Sequence, residues 1–151
     1  MEERETFVDL NSKMRICVDQ RIDGVISGRI YCMFDQKERY FLSEVELLLV
    51  IDSICEEYNF PQATHKSRSF VGKGQAPMMR SSSWEGDFDQ TRGVLGTFEV
   101  MVLFRHNATL QGSMHWMEKE KLQPFQSELE LLLEISGAME RLNTDETSAW
   151  N

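Results

Sequence analysis

The chain has 151 residues, 25 of them acidic and 16 basic, for a net charge of −9. That length suits one domain, 1–151, with its own core, and the charge argues against nucleic-acid binding by the chain as a whole. No apolar run approaches the roughly 18 residues of a membrane helix, so no membrane role is expected and the expected location is cytoplasmic.

The N-terminus, MEERETFVDLNSKM, is acidic and polar and does not read as a secretory signal. Phe7 and Val8 offer a candidate edge strand. The first clear element is a hairpin, MRICVDQR against GVISGRIYCMF across Ile22-Asp23-Gly24. A three-residue turn pairs Val18 with Gly28, Ile16 with Ile30 and Met14 with Cys32, gathering the apolar side chains on one face. A two-residue turn on Asp23-Gly24 would instead pair Cys17 with Ile30 and scatter them, so the three-residue turn is expected. Gly28 falls on the covered face, where the missing side chain would let a helix backbone approach. Cys17, Cys32 and Cys55 are an odd number without metal-like spacing and read as buried, reduced thiols. No metal or cofactor is expected.

FLSEVELLLVI, residues 41–51, contains Ser43 followed by Glu46. That is a capping box: the Ser oxygen accepts from the N3 amide, and the N3 Glu reaches back to the cap amide. A helix starts here and runs to about Tyr58, where Asn59-Phe60-Pro61 stops it. Leu42 is placed to staple onto Leu47, and Phe41 to tuck beneath the first turn.

Residues 59–97 read as a long inter-repeat loop. Residues 59–84 hold 4 bases and no acid, between an acidic 1–58 (13 acids, 7 bases) and an acidic 85–151 (12 acids, 5 bases). Long loops in compact domains are commonly functional. His65, Lys66, Arg68, Lys73, Arg80 and Trp84 are the candidate ligand-binding residues, because basic and aromatic side chains together suit a phosphate or a nucleotide. GKGQ is not a P-loop. The plainer reading is a connector whose bases lean on the acidic body.

The second half opens with FEVMVLFR against ATLQGSMHWM across His106-Asn107-Ala108. The same turn pairs Phe104 with Leu110, Val102 with Gly112, Val100 with Met114 and Phe98 with Trp116. FQSELELLLEI, residues 125–135, repeats the capping box on Ser127 and Glu130. Its helix is expected to run to about Leu142, leaving 143–151 as a flexible tail.

The halves are copies. Shifting residues 14–58 by 84 positions aligns them with 98–142 without a gap, and 14 of the 45 positions are identical. About three would match by chance at ordinary composition. The expected fold is therefore α+β: a tandem β-β-α repeat, 14–58 and 98–142, with pseudo-twofold symmetry. It forms one antiparallel sheet with both helices on one face; two separate lobes are the alternative.

The other sheet face would collect Arg15, Cys17, Asp19, Arg21, Ser27, Arg29 and Tyr31 from the first copy. From the second it would collect Glu99, Met101, Leu103, Arg105, Thr109, Gln111, Ser113 and His115. Such a face is commonly solvated. Arg21 and Arg105 recur in both copies, and Tyr31, Met101 and Leu103 are more apolar than solvation requires. These five are the candidate interaction residues.

No Gly-x-Ser-x-Gly, His-Glu-x-x-His or Cys-with-His signature is present. Glu44 and Glu128, beside the cap serines, suit the positive helix ends better than catalysis. A non-enzyme is expected.

NATLQGSMHW followed by FQSELELLLEI resembles an uncharacterised family of small proteins from anaerobic Gram-positive bacteria. The family's pattern is Asn-Ala-Thr-Trp-Gln-Gly, then a Trp, then Phe-x-Ser-x-Leu-Glu-Leu. Asn107, Ala108, Thr109, Gln111, Gly112 and Trp116 match it, and Leu110 stands where the family has Trp. GRIYCMF and FPQATHKSRSF resemble another recurring part, so the likeness covers most of 14–142. The family has no assigned activity and implies no catalytic residue. Some such proteins sit on mobile elements, which implies interference with a host defence system.

The expected function is a non-catalytic acidic protein-interaction module with a basic protein partner, an inhibitor of a nucleic-acid-binding protein in an anti-CRISPR-like manner. One alternative is a binder of a phosphate-bearing ligand or nucleic acid through the basic loop; another is an enzyme with an unrecognised site. A homodimer through the open face or an edge strand is compatible with each.

Overall fold

The computed structural model of the chain describes residues 13–33, 35–58, 81–106 and 109–150; Phe7 and Val8 lie outside them. The first hairpin is β1 (Lys13–Ile22) and β2 (Val25–Cys32). Its turn has two central residues, because Ile22 faces Val25. Asp23 and Gly24 have φ of 53° and 81°, the left-handed pair that a type I′ turn requires. The three-residue turn is thus corrected, yet the pairs expected from it, Met14–Cys32, Ile16–Ile30 and Val18–Gly28, are all present. The ladder steps from Val18–Gly28 to Gln20–Ser27, leaving Asp19 as an extra residue in a β-bulge. The bulge absorbs the residue that a longer turn would have used.

The second hairpin, β5 (Gly96–His106) and β6 (Thr109–Trp116), carries the same device. Leu103 is bulged between Val102–Gly112 and Phe104–Gln111. Val102–Gly112, Val100–Met114 and Phe98–Trp116 pair as expected, whereas Leu110 faces Arg105 and not Phe104. The bulges explain Gly28 and Gly112. A Cβ on Gly28 would lie 1.9 Å from the Cys17 carbonyl oxygen, and one on Gly112 2.0 Å from that of Met101. The close neighbour is the adjacent strand, not a helix.

Each half has a further strand that the β-β-α reading passes over: β3 (Lys37–Phe41) and β7 (Lys121–Phe125). Gly28 faces Phe41 and Gly112 faces Phe125. A short β4 (Ser81–Ser83) pairs with β3. Among the described residues the strands form one seven-stranded antiparallel sheet in the order β4-β3-β2-β1-β5-β6-β7. The halves join where β1 runs beside β5, with Arg15 opposite Glu99. Lys13–Met101 and Cys17–Thr97 flank that pair on either side, as do Met14–Val100 and Ile16–Phe98. Separate lobes are therefore ruled out.

Helices α1 (Glu44–Tyr58) and α2 (Glu128–Trp150) follow β3 and β7. Both capping boxes form. The Glu46 amide donates to Ser43 Oγ at 3.2 Å and the Glu130 amide to Ser127 Oγ at 3.1 Å. The Glu side chains reach one residue further than expected, accepting from the amides of Leu42 (2.8 Å) and Gln126 (2.6 Å). Leu42 is 54% exposed, so the expected staple onto Leu47 does not bury it. Phe41 and Phe125 are buried beneath the helix starts, each contributing on the order of 2 kcal/mol of apolar burial. α2 continues past Leu142 to Trp150, so residues 143–150 are helical and not an irregular tail.

One buried cluster joins both helices to the sheet. It includes Met14, Ile16, Val18, Phe98, Val100 and Val102 from the central strands and Leu47, Ile51, Leu131 and Ile135 from the helices. Both helices therefore cover the same face. Arg39 of β3 is buried on that side, with Nη2 2.9 Å from Asp35 Oδ2 and 3.7 Å from Glu57 Oε1 of α1.

Candidate interaction surface

Cross-strand partners share a face, so Arg15, Cys17, Arg29, Tyr31 and Tyr40 stand on the side away from the helices, as do Glu99, Met101, Ser113, His115, Leu122 and Pro124. The two halves of this face are built from unlike chemistry.

The first half is a closed polar network. Arg29 makes a two-pronged contact with Asp19, Nε to Oδ2 at 2.7 Å and Nη2 to Oδ1 at 2.9 Å. Its Nη1 donates to the Tyr31 hydroxyl at 3.0 Å. Tyr31 donates to Glu38 Oε2, and Tyr40 donates to Glu38 Oε1 at 2.5 Å. Burial pushes the Glu38 carboxyl upward, but the two donated hydrogen bonds outweigh it and hold the group below the ordinary carboxylate value. Burial, then the bond to Glu38, raises the Tyr31 phenol well above its usual range. Cys17, fully buried between these groups, has its thiol pushed up to about 12, chiefly by burial. A thiol so protonated is a poor nucleophile. At the seam Arg15, 3% exposed, donates to Glu99 Oε2 at 2.6 Å.

A strap formed by residues 84–95 closes this half. The Trp84 ring lies 4.4 Å from that of Tyr31. The Phe88 ring lies 4.5 Å beneath the Arg15 guanidinium, and its carbonyl accepts from Arg15 Nη1 at 2.6 Å. The Arg92 carbonyl accepts from Arg29 Nη2 at 2.8 Å, and the Val94 amide donates to Asp19 Oδ1 at 3.0 Å. Gly93 and Leu95 then bring the chain onto β1 and β5, through Thr97 Oγ1 (2.9 Å) and the Val18 carbonyl (2.8 Å). The bulge is what makes this docking work: it aims the extra carboxylate, Asp19, at both the sheet arginine and the strap backbone.

The second half has lost each of these groups. At the positions 84 residues on, Asp19 becomes Leu103, Arg29 becomes Ser113, Tyr31 becomes His115, Glu38 becomes Leu122 and Tyr40 becomes Pro124. Leu103 is 43% exposed and Leu122 70%. Met101, Ser113 and His115 are half-buried, and Pro124 is exposed. A shallow cleft of about 490 Å³, lined by Arg92, His115, Met117, Glu118 and Glu120, separates this patch from the strap. The outer strand, β7, carries Pro124 one residue before the end of its ladder, where the missing amide hydrogen blunts edge pairing.

Of the predicted interaction residues, Met101 and Leu103 lie on the open half. Tyr31 is 1% exposed and serves the network instead. Arg21 is a correction. Beyond the bulge the alternation inverts, so Arg21 pairs with buried Ile26 on the helix side, its Nη2 3.5 Å from Glu140 Oε2 of α2. Arg105 pairs with buried Leu110 in the matching place. Of the predicted ligand-binding residues, Trp84 packs on Tyr31, while His65, Lys66, Arg68, Lys73 and Arg80 lie outside the described residues. Leu122 and Pro124 were missed, because the strand that carries them was missed; their equivalence to Glu38 and Tyr40 in the aligned copies was the available signal.

Among the described residues no three His, Cys, Asp or Glu side chains converge in a way that would hold a metal ion, and no helix is long and apolar enough to cross a membrane. No family model, curated protein or solved structure matches the chain.

Proposed function

We propose that this chain is a non-catalytic, acidic protein-interaction module whose contact surface is the open half-face around Met101, Leu103, His115 and Leu122. The carrying observation is the inequality of the two half-faces. One is filled by its own charges and closed by the strap; the other replaces those charges with apolar groups and leaves them exposed. Patches of this kind, apolar at the centre with a polar rim, suit protein contacts.

The proposed scaffold is a tandem repeat of β-β-β-α units about a pseudo-twofold axis through the Arg15–Glu99 pair. The 14 identities, the paired bulges at Asp19 and Leu103 and the paired caps at Ser43 and Ser127 support it. Duplication followed by divergence gives one copy a closed, structural half-face and frees the other for recognition.

The proposed partner is a basic protein in a reducing, cytoplasmic setting. A net charge of −9 steers toward a basic target and competes with nucleic acid for it, and three buried free thiols suit reduction. Inhibition of a nucleic-acid enzyme, anti-CRISPR-like, is the form this takes.

The test is affinity purification with wild-type chain and with Leu103→Glu/Leu122→Glu. Both positions are exposed, so the variant should keep its thermal midpoint. A partner held by the patch should lose at least tenfold in affinity, and its binding should weaken from 50 to 300 mM salt. Equal recovery by both chains, or salt-insensitive binding to a neutral partner, overturns the reading. Recovery lost only on Arg68→Ala/Arg80→Ala moves the function to the basic loop.

A further inference from the structure

We infer that the notch between the outer end of β1 and the middle of α2 binds a small monocarboxylate with a hydrocarbon tail, its carboxylate held by Arg21. The notch has a volume of about 280 Å³, and Arg21 and Ile22 of β1, Leu95 at the end of the strap, and Met139 and Leu142 of α2 line it. It lies on the helix side of the sheet, away from the proposed contact surface, and the two assignments stand independently. Its size is close to the lower limit of about 300 Å³ for small-molecule sites, so the ligand is small. Arg21 carries the inference. Its side chain is 21% exposed, and its guanidinium makes one polar contact among the described residues, Nη2 to Glu140 Oε2 at 3.5 Å, with the Glu140 side chain itself 72% exposed. Arg29 is sheltered to the same degree, 26% exposed, yet its guanidinium donates to Asp19, Tyr31 and the Arg92 carbonyl at 2.7–3.0 Å. A guanidinium has five N–H donors in a fixed fork. Desolvated and served by one long, solvent-screened contact, Arg21 is matched to a carboxylate, whose two oxygens fit that fork.

The walls specify the rest of the ligand. Leu95 and Leu142 are partly buried against the core, Met139 is buried and Ile22 is exposed, so a hydrocarbon tail gains apolar burial against them. Asp19 also lines the notch, but its oxygens already accept from Arg29 and the Val94 amide. With Asp19 and Glu140 both at the site, a dianion is repelled more than a monoanion. That selects a carboxylate over a phosphate. Behind Met139 is a second unmet group. A Cβ on Gly96 would lie 2.9 Å from Met139 Cε and 3.6 Å from Trp116 Nε1, which sets the end of Met139 near that indole. The Trp116 N–H is buried and has no hydrogen-bond partner among the described residues. A ligand that displaces Met139 is therefore felt by both side chains.

The test is a titration of the full chain, carrying 13C-methyl methionine and 15N-indole tryptophan, with sodium octanoate up to about 10 mM. The Met139 methyl and Trp116 indole signals should shift saturably. Met101, on the opposite face, and Met33, beyond the other end of the first hairpin, should stay in place. Arg21→Gln should weaken binding at least tenfold while the chain keeps its native spectrum; a smaller loss leaves Arg21 as a strut to Glu140 and overturns the assignment. Octylammonium and octyl phosphate should both bind the wild-type chain more weakly than octanoate. That comparison decides the matter even where Arg21→Gln fails to fold. Octylammonium binding as tightly as octanoate shows apolar adsorption without a carboxylate site, and octyl phosphate binding as tightly or tighter makes the ligand a phosphate; either result overturns the inference. So does the absence of a saturable shift, or equal movement of Met33 and Met101.

Discussion

Replacing Asp19 by leucine gives the first half the residue that the second half already has at Leu103. The carboxylate accepts two charge-assisted bonds from Arg29, at 2.7 and 2.9 Å, and one from the Val94 amide at 3.0 Å. Removing one partner of a buried ion pair costs about 3–5 kcal/mol, mostly because the other charge is stranded. Here the side chains of Arg29 and Asp19 are 26% and 24% exposed, and Arg29 keeps the Tyr31 hydroxyl and the Arg92 carbonyl. Solvent screening and these remaining partners reduce the expected loss to about 2–3 kcal/mol. For a chain of this size that lowers the thermal midpoint by about 5–10 °C. Urea titration should show a lower midpoint with an unchanged slope. Limited trypsin digestion should cut after Arg92 faster than in the wild type, because the strap has lost an anchor. A variant within 0.5 kcal/mol of wild type, cut at Arg92 no faster, would refute the idea that the bulged carboxylate fastens the strap.

Three further outcomes follow from the same geometry. Gly28→Ala and Gly112→Ala would each drive a Cβ to 1.9–2.0 Å from a backbone carbonyl that cannot swing aside, so each should lose about 2–4 kcal/mol in urea; a neutral result at either removes the bulge explanation. Glu38 titrates below its unfolded value of about 4.3, so its hydrogen bonds stabilise the fold above that pH and are lost as pH falls through the folded value. The stability gap between wild type and Tyr40→Phe should accordingly be wider at pH 7 than at pH 3, and an equal gap would contradict the assignment. Cys17, Cys32 and Cys55 should resist a thiol reagent at pH 8 in the native protein and react fully in guanidinium, since burial holds the Cys17 and Cys32 thiols near 12; fast native labelling would place them outside the core.

Much of the scaffold was legible in the sequence because it rests on local chemistry repeated twice. Ser43 with Glu46, and Ser127 with Glu130, announce both helix starts. The apolar alternation of Met14, Ile16 and Val18 fixes the register at the base of the first hairpin. The turn was misread for a definite reason: apolar alternation reports which residues face the core, and a two-residue turn plus a bulge at Asp19 gives the same pairing as a three-residue turn. That substitution matters further along, since the bulge inverts the face on which Arg21 stands. β3 and β7 escaped because KERYF and KLQPF are short and mostly polar, and their place in the sheet is set by the hairpins beside them. The strap was not legible either. Trp84, Phe88 and Asp87 sit in a segment without periodicity, and only tertiary contact with Arg15, Arg29 and Tyr31 gives it form.

The unlike half-faces are tested most directly by measuring partner capture with two matched charge insertions, Leu103→Glu/Leu122→Glu on the open half and Glu85→Lys/Asp89→Lys on the outer side of the strap. The predicted result is loss of the captured protein with the first pair and at most a salt-dependent weakening with the second, both chains remaining folded. Capture that survives the first pair and disappears with the second would contradict the proposed contact surface on the second half-face.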